Sequence, residues 1–310
     1  MPNNLDKPVL VSIVGPTAVG KTDFAIELAE EFGTEIISAD SRQFYRELEI
    51  GTAKPTPYEL SRVKHHFINS HSIEESYNAG QYGRDAQSCL AELFRENKMV
   101  FAVGGSGLYL KALWEGFDEI PEVDGAIREE LNTYFRQNGL MGLLDELKSA
   151  DTEYYDFVDK NNGQRVIRAL EVIRGTGETF TSFRKSKISE LPYQNLKIGL
   201  EMDREVLFDR INLRMDVMIE KGLFEEAEKH ANYKNHNALQ TVGYTEIFEY
   251  LDGKYDKEEA IRLLKRNSRR YAKRQMTWFR RYDDIHWYTP NQKKDSIAMI
   301  KDLLESRTKS

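Results

Sequence analysis

Cysteine is nearly absent from this sequence, since Cys89 is the only one in 310 residues. A single cysteine cannot form a disulfide within the chain, and it cannot supply a cysteine-based zinc finger. This scarcity favours a reducing compartment. The six histidines show no metal-ligand spacing with Cys89, so no zinc site is expected. Cys89 lies in an amphipathic helical pattern, and we interpret it as a small buried apolar residue.

Long apolar runs and an excess of basic residues are absent as well. No segment approaches the roughly 18 consecutive apolar residues of a membrane span, and residues 1–8 contain no apolar signal region. Lysine and arginine number 44 against 51 aspartates and glutamates, and this net charge of −7 argues against a wholly basic nucleic-acid coat protein. Hydrophobic residues form 40% of the chain and charged residues 31%. We expect a cytoplasmic globular enzyme with about two ordinary domains.

Strand-type and helical patterns alternate along much of the chain. Short apolar runs that predict strands occupy residues 9–14, 34–39, 99–103 and 196–202, and helical patterns occupy 21–32 and 79–96. Such alternation predicts an α/β fold, in which helices cover both faces of a parallel sheet. Ligands of these sheets bind beyond the carboxyl ends of the strands.

Between about residues 119 and 192 the strand-type runs disappear and helical periods replace them. Leucines within 140–147 keep helical spacing, which argues against an unstructured linker. We predict a helical insertion domain at 119–192, within a core whose first part is 1–118. Residues 193–310 complete this predicted core and supply a helical C-terminal region with a long helix at about 256–282.

A glycine-rich loop follows the first predicted strand and precedes the first predicted helix. It matches the pattern G-x-x-x-x-G-K-[ST] in full, through Gly15, Pro16, Thr17, Ala18, Val19, Gly20, Lys21 and Thr22. Glycine lets backbone N–H groups turn toward phosphate oxygens, and the start of a helix adds a positive field. Lys21 would neutralise phosphate charge, and the Thr22 hydroxyl would bind Mg²⁺. The loop predicts a P-loop NTPase-like core that binds a di- or triphosphate, and by itself it is compatible with ATP or GTP binding.

Three further polar residues have patterns that allow more than one role. Asp40 follows the second predicted strand, where it could be a general base, a Mg²⁺ ligand of Walker B type or a cap for the next turn. The turn at 104–107 falls at the same edge of the predicted sheet. Arg210 and Arg214 lie four residues apart on the helical pattern 205–220, and therefore on one face. Position alone does not separate phosphate contact from an ordinary solvated face.

The segment 262–282 contains nine basic residues and no acidic one. One helical face carries Arg262, Arg266, Arg269, Lys273 and Arg280, and a second face, expected to pack on the core, carries Ile261, Leu264, Ser268, Tyr271 and Trp278. A solvated face usually mixes both signs of charge. A basic face in an acidic protein therefore favours contact with the phosphate backbone of a nucleic acid.

Successive short motifs extend this pattern over nearly the whole chain. Beyond the loop at 15–22 they are Asp40-Ser41…Gln43…Tyr45-Arg46, Gly51-Thr52-Ala53-Lys54-Pro55, His65-His66, Gly104-Gly105-Ser106-Gly107-Leu108-Tyr109, Arg165…Arg168-Ala169-Leu170-Glu171-Val172, Val242-Gly243-Tyr244 and Ala272-Lys273-Arg274-Gln275…Thr277-Trp278. In this order they resemble the motifs of the bacterial tRNA dimethylallyltransferase (tRNA isopentenyltransferase) family. The resemblance implies transfer of a dimethylallyl group from dimethylallyl diphosphate to N6 of the adenine 3′-adjacent to the anticodon, with release of diphosphate. By analogy it also implies a monomer.

The resemblance assigns expected roles to residues whose position left several open. Asp40 becomes the base that accepts the proton from N6. Ser106, at a position that is usually threonine in the family, becomes a hydroxyl donor to the leaving diphosphate. Arg214, or else Arg210, becomes a phosphate contact. The expected tRNA contacts are Asp40, Ser41, Arg42, Gln43, Ser106, Arg128, Gln164, Arg165, Val166, Ile167 and Arg168.

Three other functions stay open at this point. An adenylate isopentenyltransferase would prenylate free AMP, ADP or ATP, but it would need neither a helical insertion nor a basic helix. A small-molecule or nucleoside kinase is what the phosphate loop alone would favour. An RNA-binding module with a vestigial loop would bind nucleic acid without using Lys21.

Overall fold

The structure is a computed structural model, and it describes residues 7–116, 118, 120–184 and 191–308. Its strands are β1 (Val9–Val14), β2 (Ile36–Ser38), β3 (His65–His66), β4 (Met99–Gly104), β5 (Gln194–Leu200) and β6 (Ile285–Tyr288). Its helices are α1 (Lys21–Phe32), α2 (Pro57–Arg62), α3 (Ala79–Leu93), α4 (Gly107–Glu115), α5 (Gly125–Asn138), α6 (Met141–Ala150), α7 (Thr152–Phe157), α8 (Gly163–Thr176), α9 (Phe180–Phe183), α10 (Arg204–Glu220), α11 (Leu223–Lys229), α12 (Thr245–Leu251), α13 (Lys257–Phe279) and α14 (Lys293–Thr308), with a 3₁₀ turn at Ala231–Tyr233.

Within the described residues, six strands form one sheet in the order β3-β2-β4-β1-β5-β6. Every neighbouring pair is parallel, so all the strands end at the same edge. β1 lies between β4 and β5, and Val14 at its end is in register with Gly104 and Gly199. The predicted α/β fold with a parallel sheet is confirmed.

Strand β1 illustrates why a central strand needs a nearly continuous apolar run. All six of its residues are buried. Leu10 and Val14 belong to one core cluster, whereas Val11 and Ile13 belong to the cluster on the other face, because side chains alternate across a strand. Helices cover both faces, so neither set reaches water.

Several strand limits differ from the predicted ones. β2 is shorter than the predicted run 34–39, and β5 begins and ends two residues before the predicted run 196–202. The edge strands β3 and β6 have no counterpart among the predicted runs. β3 has two residues, too few for a periodic pattern. In β6 only Ile285 is buried, so its edge position leaves little apolar pattern to recognise.

The chain divides into two compact units. Unit 1 combines Met1–Glu115 with Glu190–Ser310 and contains the sheet. Unit 2 is Gly116–Ser189, and its described elements are helices α5 to α9. The core of unit 2 is formed mainly by leucine, valine and isoleucine side chains of α5, α6 and α8, as expected of a domain. Among the residues that the structure describes, no helix has both the length and the apolar character needed to cross a bilayer.

Two long helices of unit 1, α10 and α13, pack against each other and carry side chains that face the carboxyl edge of the sheet. α10 begins after Asp203, whose side chain accepts the N–H groups of Glu205 and Val206. α13 begins after Asp256, whose side chain accepts the N–H of Glu259. These caps satisfy N–H groups that a helix start leaves unpaired, and they fix where each helix begins.

Candidate active site

A cavity of about 810 Å³ opens at the carboxyl edge of the sheet in unit 1. Its wall includes the loops after β1, β2 and β4, which are neighbours in the sheet. The phosphate loop, Asp40 and the turn after β4 therefore meet at one edge, as the sequence predicted. Helix α10 contributes Arg210 and Arg214 to the wall, and α13 contributes Tyr271 and Gln275.

The phosphate loop adopts a conformation that its glycines make possible. Gly15 has a φ of 143°, and a Cβ at this position would lie 2.5 Å from the carbonyl oxygen of Leu200. Gly20 has a φ of 104° at the start of α1, and no side chain in the described residues caps this helix. The first N–H groups of α1 are therefore available to an anion, which the helix field also attracts.

Lys21 lines the cavity, and its Nζ donates a 2.8 Å hydrogen bond to the carbonyl oxygen of Pro16. Burial lowers the pKa of Lys21 to about 7, and the Arg214 guanidinium acts in the same direction, whereas the Asp40 carboxylate acts against both. Two cations therefore share a poorly solvated site, and a bound polyanion would stabilise both charges.

Arg214 and Arg210 both reach the phosphate loop, but in different surroundings. Arg214 Nη1 lies 3.4 Å from Thr17 Oγ1, and burial lowers the pKa of its guanidinium, although Asp40 raises it. Arg210 is exposed, and its Nε donates a 2.9 Å hydrogen bond to the carbonyl oxygen of Ala18. The sequence could not choose between the two arginines. The structure places Arg214 closer to the charges of the site, and it uses Arg210 to support the loop.

Asp40 follows β2 and is half-buried. Its Oδ1 accepts the backbone N–H groups of Arg42 at 2.9 Å and Gln43 at 3.3 Å, so this oxygen caps the next turn. No hydrogen bond to Oδ2 is found among the described residues, although Asp40 lines the cavity. Because the contacts that fix the side chain use Oδ1 and the residue lines the cavity, a cap and a base are compatible roles for Asp40.

Ser106 and Tyr271 lie beside Asp40. The Oγ of the buried Ser106 accepts the N–H of Ser41 at 2.9 Å. Burial raises the pKa of Tyr271 to about 12, with the Asp40 charge acting in the same direction and a hydrogen bond with Ser106 opposing them. Asp40 and Tyr271 also line a second cavity of about 110 Å³, together with Arg42. Asp40 is therefore accessible from two adjoining spaces.

Three of the predicted tRNA contacts have side chains that are already occupied or buried. Val166 and Ile167 are fully buried in the core of unit 2, so their side chains cannot contact a nucleic acid. The Gln43 amide nitrogen donates to the carbonyl oxygens of Thr52 at 3.3 Å and Ala53 at 3.2 Å. The Gln43 amide thus supports a neighbouring loop, whereas the resemblance had assigned Gln43 to contact with tRNA.

The remaining predicted contacts of unit 2 gather around Glu171. Its buried carboxylate accepts from Arg128 Nη1 at 2.9 Å and from Arg168 Nη1 at 3.1 Å. Arg128 also donates to Gln164 Oε1 at 3.1 Å. Arg165, the neighbour of Gln164 on α8, is exposed. The structure therefore places Arg128 and Arg168 on one buried acid, with Gln164 joined to it through Arg128.

The predicted basic face of α13 is partly neutralised by acidic residues from outside its segment. Arg262 pairs with Glu259 at 2.6 Å, and Arg280 pairs with Glu201. Lys273 is exposed, and the described residues place no ion pair on it. The acids that pair with Arg262 and Arg280 come from the preceding turn and from another element. Contact between the rest of this face and nucleic-acid phosphates stays a prediction.

Two polar residues of α13 have roles that sequence reasoning missed. Tyr271, which was assigned to the core-packing face, lines both cavities. Gln275 is 7% exposed, its Oε1 accepts the N–H of Thr17 at 2.8 Å, and its Nε2 donates to the carbonyl oxygen of Gly105 at 2.9 Å. The sequence did contain a signal for these roles: Tyr271 and Gln275 lie four residues apart on a helical face that packs on the core, and buried polar side chains need hydrogen-bond partners inside the protein.

Glu226 on α11 is a third residue that sequence reasoning missed. Its carboxylate accepts three backbone N–H groups at 49–51, at 2.8–2.9 Å, and the hydroxyl of Tyr244 at 2.6 Å. The loop that it fixes continues into Thr52 and Ala53, which line both cavities. Through Glu226, the structure connects the motif at 51–55 with the motif at 242–244.

The parallel sheet and the glycine-rich loop between β1 and α1 define the protein as one of P-loop NTPase-like fold. Its sequence matches the family model described as IPP transferase over residues 43–282. The chain belongs to this family, the tRNA dimethylallyltransferases, which are prenyltransferase enzymes. The family recognised from the sequence motifs is thereby confirmed.

Relatives and solved structures agree with this assignment. The chain is 49% identical over 301 residues to the tRNA dimethylallyltransferase of Cytophaga hutchinsonii, covering 97% of this chain and 99% of that protein. It is 45% identical over 294 residues to tRNA dimethylallyltransferase 1 of Bacteroides thetaiotaomicron, covering 95% and 96%. The tRNA isopentenylpyrophosphate transferase of Bacillus halodurans matches with a TM-score of 0.73 and 39% identity over 98% and 99% of the two chains. A eukaryotic dimethylallyltransferase, described as acting on tRNA, matches with a TM-score of 0.80 and 26% identity over 97% and 80%.

Proposed function

We propose that this protein transfers the dimethylallyl group of dimethylallyl diphosphate to N6 of the adenine 3′-adjacent to the anticodon in tRNA, and releases diphosphate. The observation that carries this proposal is one cavity that joins a phosphate loop with its buried cations to the carboxylate of Asp40. Substitution at an allylic carbon needs both parts, because negative charge develops on the leaving oxygen while the attacking amine becomes acidic. The relatives named above support the same reaction.

The phosphate loop is suited to hold the leaving diphosphate. The first N–H groups of α1, Lys21 and Arg214 supply donors and positive charge on one side of the cavity. Ser106, on the turn after β4, supplies a hydroxyl close to Asp40. Donors fixed in advance stabilise charge as it develops on the leaving oxygens, without the reorganisation that water would require.

Mg²⁺ fits the residues of this loop. Thr22 lines the cavity in the first turn of α1. The described residues contain no cluster of three or more histidine, cysteine, aspartate or glutamate residues that could hold a metal ion. Mg²⁺ commonly binds to substrate phosphates and water with one or two protein oxygens. The Thr22 hydroxyl would hold it, and the ion would neutralise part of the diphosphate charge.

Asp40 is the proposed base. As the bond from N6 to the allylic carbon forms and the bond from that carbon to the diphosphate oxygen breaks, the proton of N6 passes to the Asp40 carboxylate. Its Oδ1 is fixed by two backbone N–H groups, so Oδ2 is the oxygen that we assign to this proton. The adenine must leave its stack in the anticodon loop to reach this position.

Side chains on both units are available for the tRNA backbone. Lys273 on α13 is exposed, and Arg128 and Arg168 together carry one positive charge more than the Glu171 carboxylate that they share. We propose that the predicted insertion at 119–192 contributes such contacts, since basic side chains supply most of the affinity for nucleic-acid phosphates. The low cysteine content supports a cytoplasmic site of action.

The test uses purified protein, dimethylallyl diphosphate and unmodified tRNA. We expect a mass gain of one prenyl group on the tRNA. A matched reaction with AMP in place of tRNA is expected to give no product, and ATP labelled in its γ-phosphate is expected to label no acceptor. An unchanged tRNA mass would contradict the proposal, prenylated AMP alone would indicate the mononucleotide enzyme, and a labelled acceptor would indicate a kinase.

A further inference from the structure

Gln275 connects the loops that follow β1 and β4 at the carboxyl edge of the sheet. Its Oε1 accepts the N–H of Thr17 in the phosphate loop at 2.8 Å, and its Nε2 donates to the carbonyl oxygen of Gly105, in the turn that carries Ser106, at 2.9 Å. The two loops follow β1 and β4, which are paired in the sheet up to Val14 and Gly104. Beyond those strand ends, the two hydrogen bonds of the Gln275 amide connect the loops.

The space around the amide is matched to this contact. A Cβ at Gly105 would lie 2.2 Å from Gln275 Nε2. Gly105 is not among the glycines with positive φ, so the backbone conformation does not itself require glycine here. The requirement arises from the glutamine, whose side chain is 7% exposed and has both ends of its amide paired. A buried amide with this geometry has one orientation, because reversing it would set donor against donor and acceptor against acceptor.

We propose that Gln275 is a positioning residue that holds the phosphate loop and the Ser106 turn at the separation needed to grip the diphosphate. This inference rests on the proposed function, since it assigns the diphosphate to the space between these loops. Gln275 itself need not touch the substrate. Because α13 also carries exposed Lys273, the same helix supports the diphosphate site and the proposed RNA-binding surface.

The first experiment compares Gln275→Met with Gln240→Met. Methionine has nearly the length and volume of glutamine but cannot form either hydrogen bond, so the cavity stays filled. Gln240 is an exposed glutamine of unit 1 that also donates to a backbone carbonyl, that of Lys234, and it serves as the matched control. Calorimetry with inorganic pyrophosphate should show about tenfold weaker binding for Gln275→Met, the expected effect of leaving buried groups unpaired.

Kinetics separate positioning from damage to the fold. For Gln275→Met we expect a raised KM for dimethylallyl diphosphate and a lower kcat, with the KM and Kd for tRNA unchanged within about twofold, because the basic side chains proposed to bind the tRNA backbone are not altered. A variant that was only partly unfolded would contain less active protein and would show a lower apparent kcat. Its KM for dimethylallyl diphosphate would not change. Pyrophosphate binding equal to that of the wild type in Gln275→Met, or no binding by the wild type, would overturn the inference.

A double-mutant cycle adds a second measurement. Gly105→Ala should displace the Gln275 amide and weaken pyrophosphate binding. In a Gln275→Ala background the added methyl group has space, so Gly105→Ala should there cause little further loss of pyrophosphate affinity. Additive losses would also overturn the inference. Because pyrophosphate binding is measured without tRNA, a wild-type protein that binds pyrophosphate but prenylates no tRNA would contradict the proposed function alone.

Discussion

The Arg214 guanidinium lowers the pKa of Lys21, an effect second only to the burial of the lysine itself. The two cations come from different elements, Lys21 from the first turn of α1 and Arg214 from α10. Their proximity is unfavourable while the site holds no anion, and it becomes favourable when a diphosphate lies between them.

Binding of the donor should therefore depend on the protonation of Lys21. Its pKa of about 7 means that much of Lys21 is neutral above that pH in the unliganded protein, whereas a bound diphosphate favours the charged form. Binding thus takes up a proton, and the affinity for dimethylallyl diphosphate should fall as pH rises above 7, by up to about tenfold per pH unit. Calorimetry in buffers of different ionisation enthalpy measures the proton uptake. The variant Lys21→Met serves as the control, because any pH dependence of its affinity comes from ionisation of the ligand and of other groups. If its affinity depended on pH as strongly as that of the wild type, the prediction would be contradicted.

The same pKa predicts that Lys21→Met stabilises the unliganded protein while it abolishes transfer. The folded pKa of Lys21, about 7, lies below the unfolded value of 10.5. Burial of the charged ammonium therefore lowers the free energy of unfolding most at pH values below 7, and this loss disappears as pH rises toward 10.5. The gain in melting temperature should be largest near neutral or lower pH and should shrink at about pH 10. Thermal unfolding at both pH values, without ligand, measures it. A variant less stable than the wild type at neutral pH would show that the buried ammonium is not destabilising.

Asp40→Asn should separate binding from transfer. Asparagine keeps a side-chain oxygen to cap the N–H groups of Arg42 and Gln43, but it cannot accept the proton of N6. We expect the rate of a single turnover to fall by about 10²–10⁴-fold, the range for loss of a general base. The Kd for tRNA, measured by filter binding, should remain within about twofold. Turnover at the wild-type rate would remove Asp40 from the role of base.

The two arginines of α10 should differ in their contribution to catalysis. Arg214 shares the electrostatic environment of Lys21 and Asp40, whereas Arg210 is exposed and bonds to the loop backbone. Arg214→Gln should lower kcat/KM for the donor by about 10²-fold, and Arg210→Gln by less than about tenfold. Steady-state kinetics with varied donor and saturating tRNA measure both values. Equal losses would mean that exposure does not distinguish the two side chains.

The parts of the site that are contiguous in sequence could be predicted, because their geometry is local. The pattern at 15–22 defines a strand, a loop and a helix start, and these fix where Lys21 and Thr22 lie. The contact between Thr17 and Gln275 joins residues 258 positions apart. A motif can show that each residue is present, but periodicity cannot show that one amide of α13 fits between two loops.

Charge pairing shows the same limit on the surface. A helical pattern ranks Arg128, Arg168 and Arg280 as solvated or RNA-facing, since it considers one element at a time. In the structure, Arg128 and Arg168 share Glu171, and Arg280 pairs with an acid before α10. Whether an arginine is available for RNA depends on such partners, and they become known only when the elements have been packed together.

Lys273 and Arg262 allow this dependence to be measured on one helix. Arg262 forms two hydrogen bonds of 2.6 Å with Glu259, whereas Lys273 is exposed without an ion pair among the described residues. Replacing a lysine that contacts a phosphate should weaken tRNA binding and reduce the slope of log K against log salt by about 1. We expect this result for Lys273→Met and a smaller change for Arg262→Met, because the glutamate already neutralises that arginine.

Filter binding of tRNA over a series of salt concentrations measures both slopes. Pyrophosphate binding, which should be unchanged in both variants, serves as the control for folding, because Lys273 and Arg262 do not line the cavity. If the two variants lost equal affinity and equal slope, pairing with Glu259 would not lower the availability of Arg262. If neither slope changed, the tRNA backbone would have to bind to charges outside this face of α13.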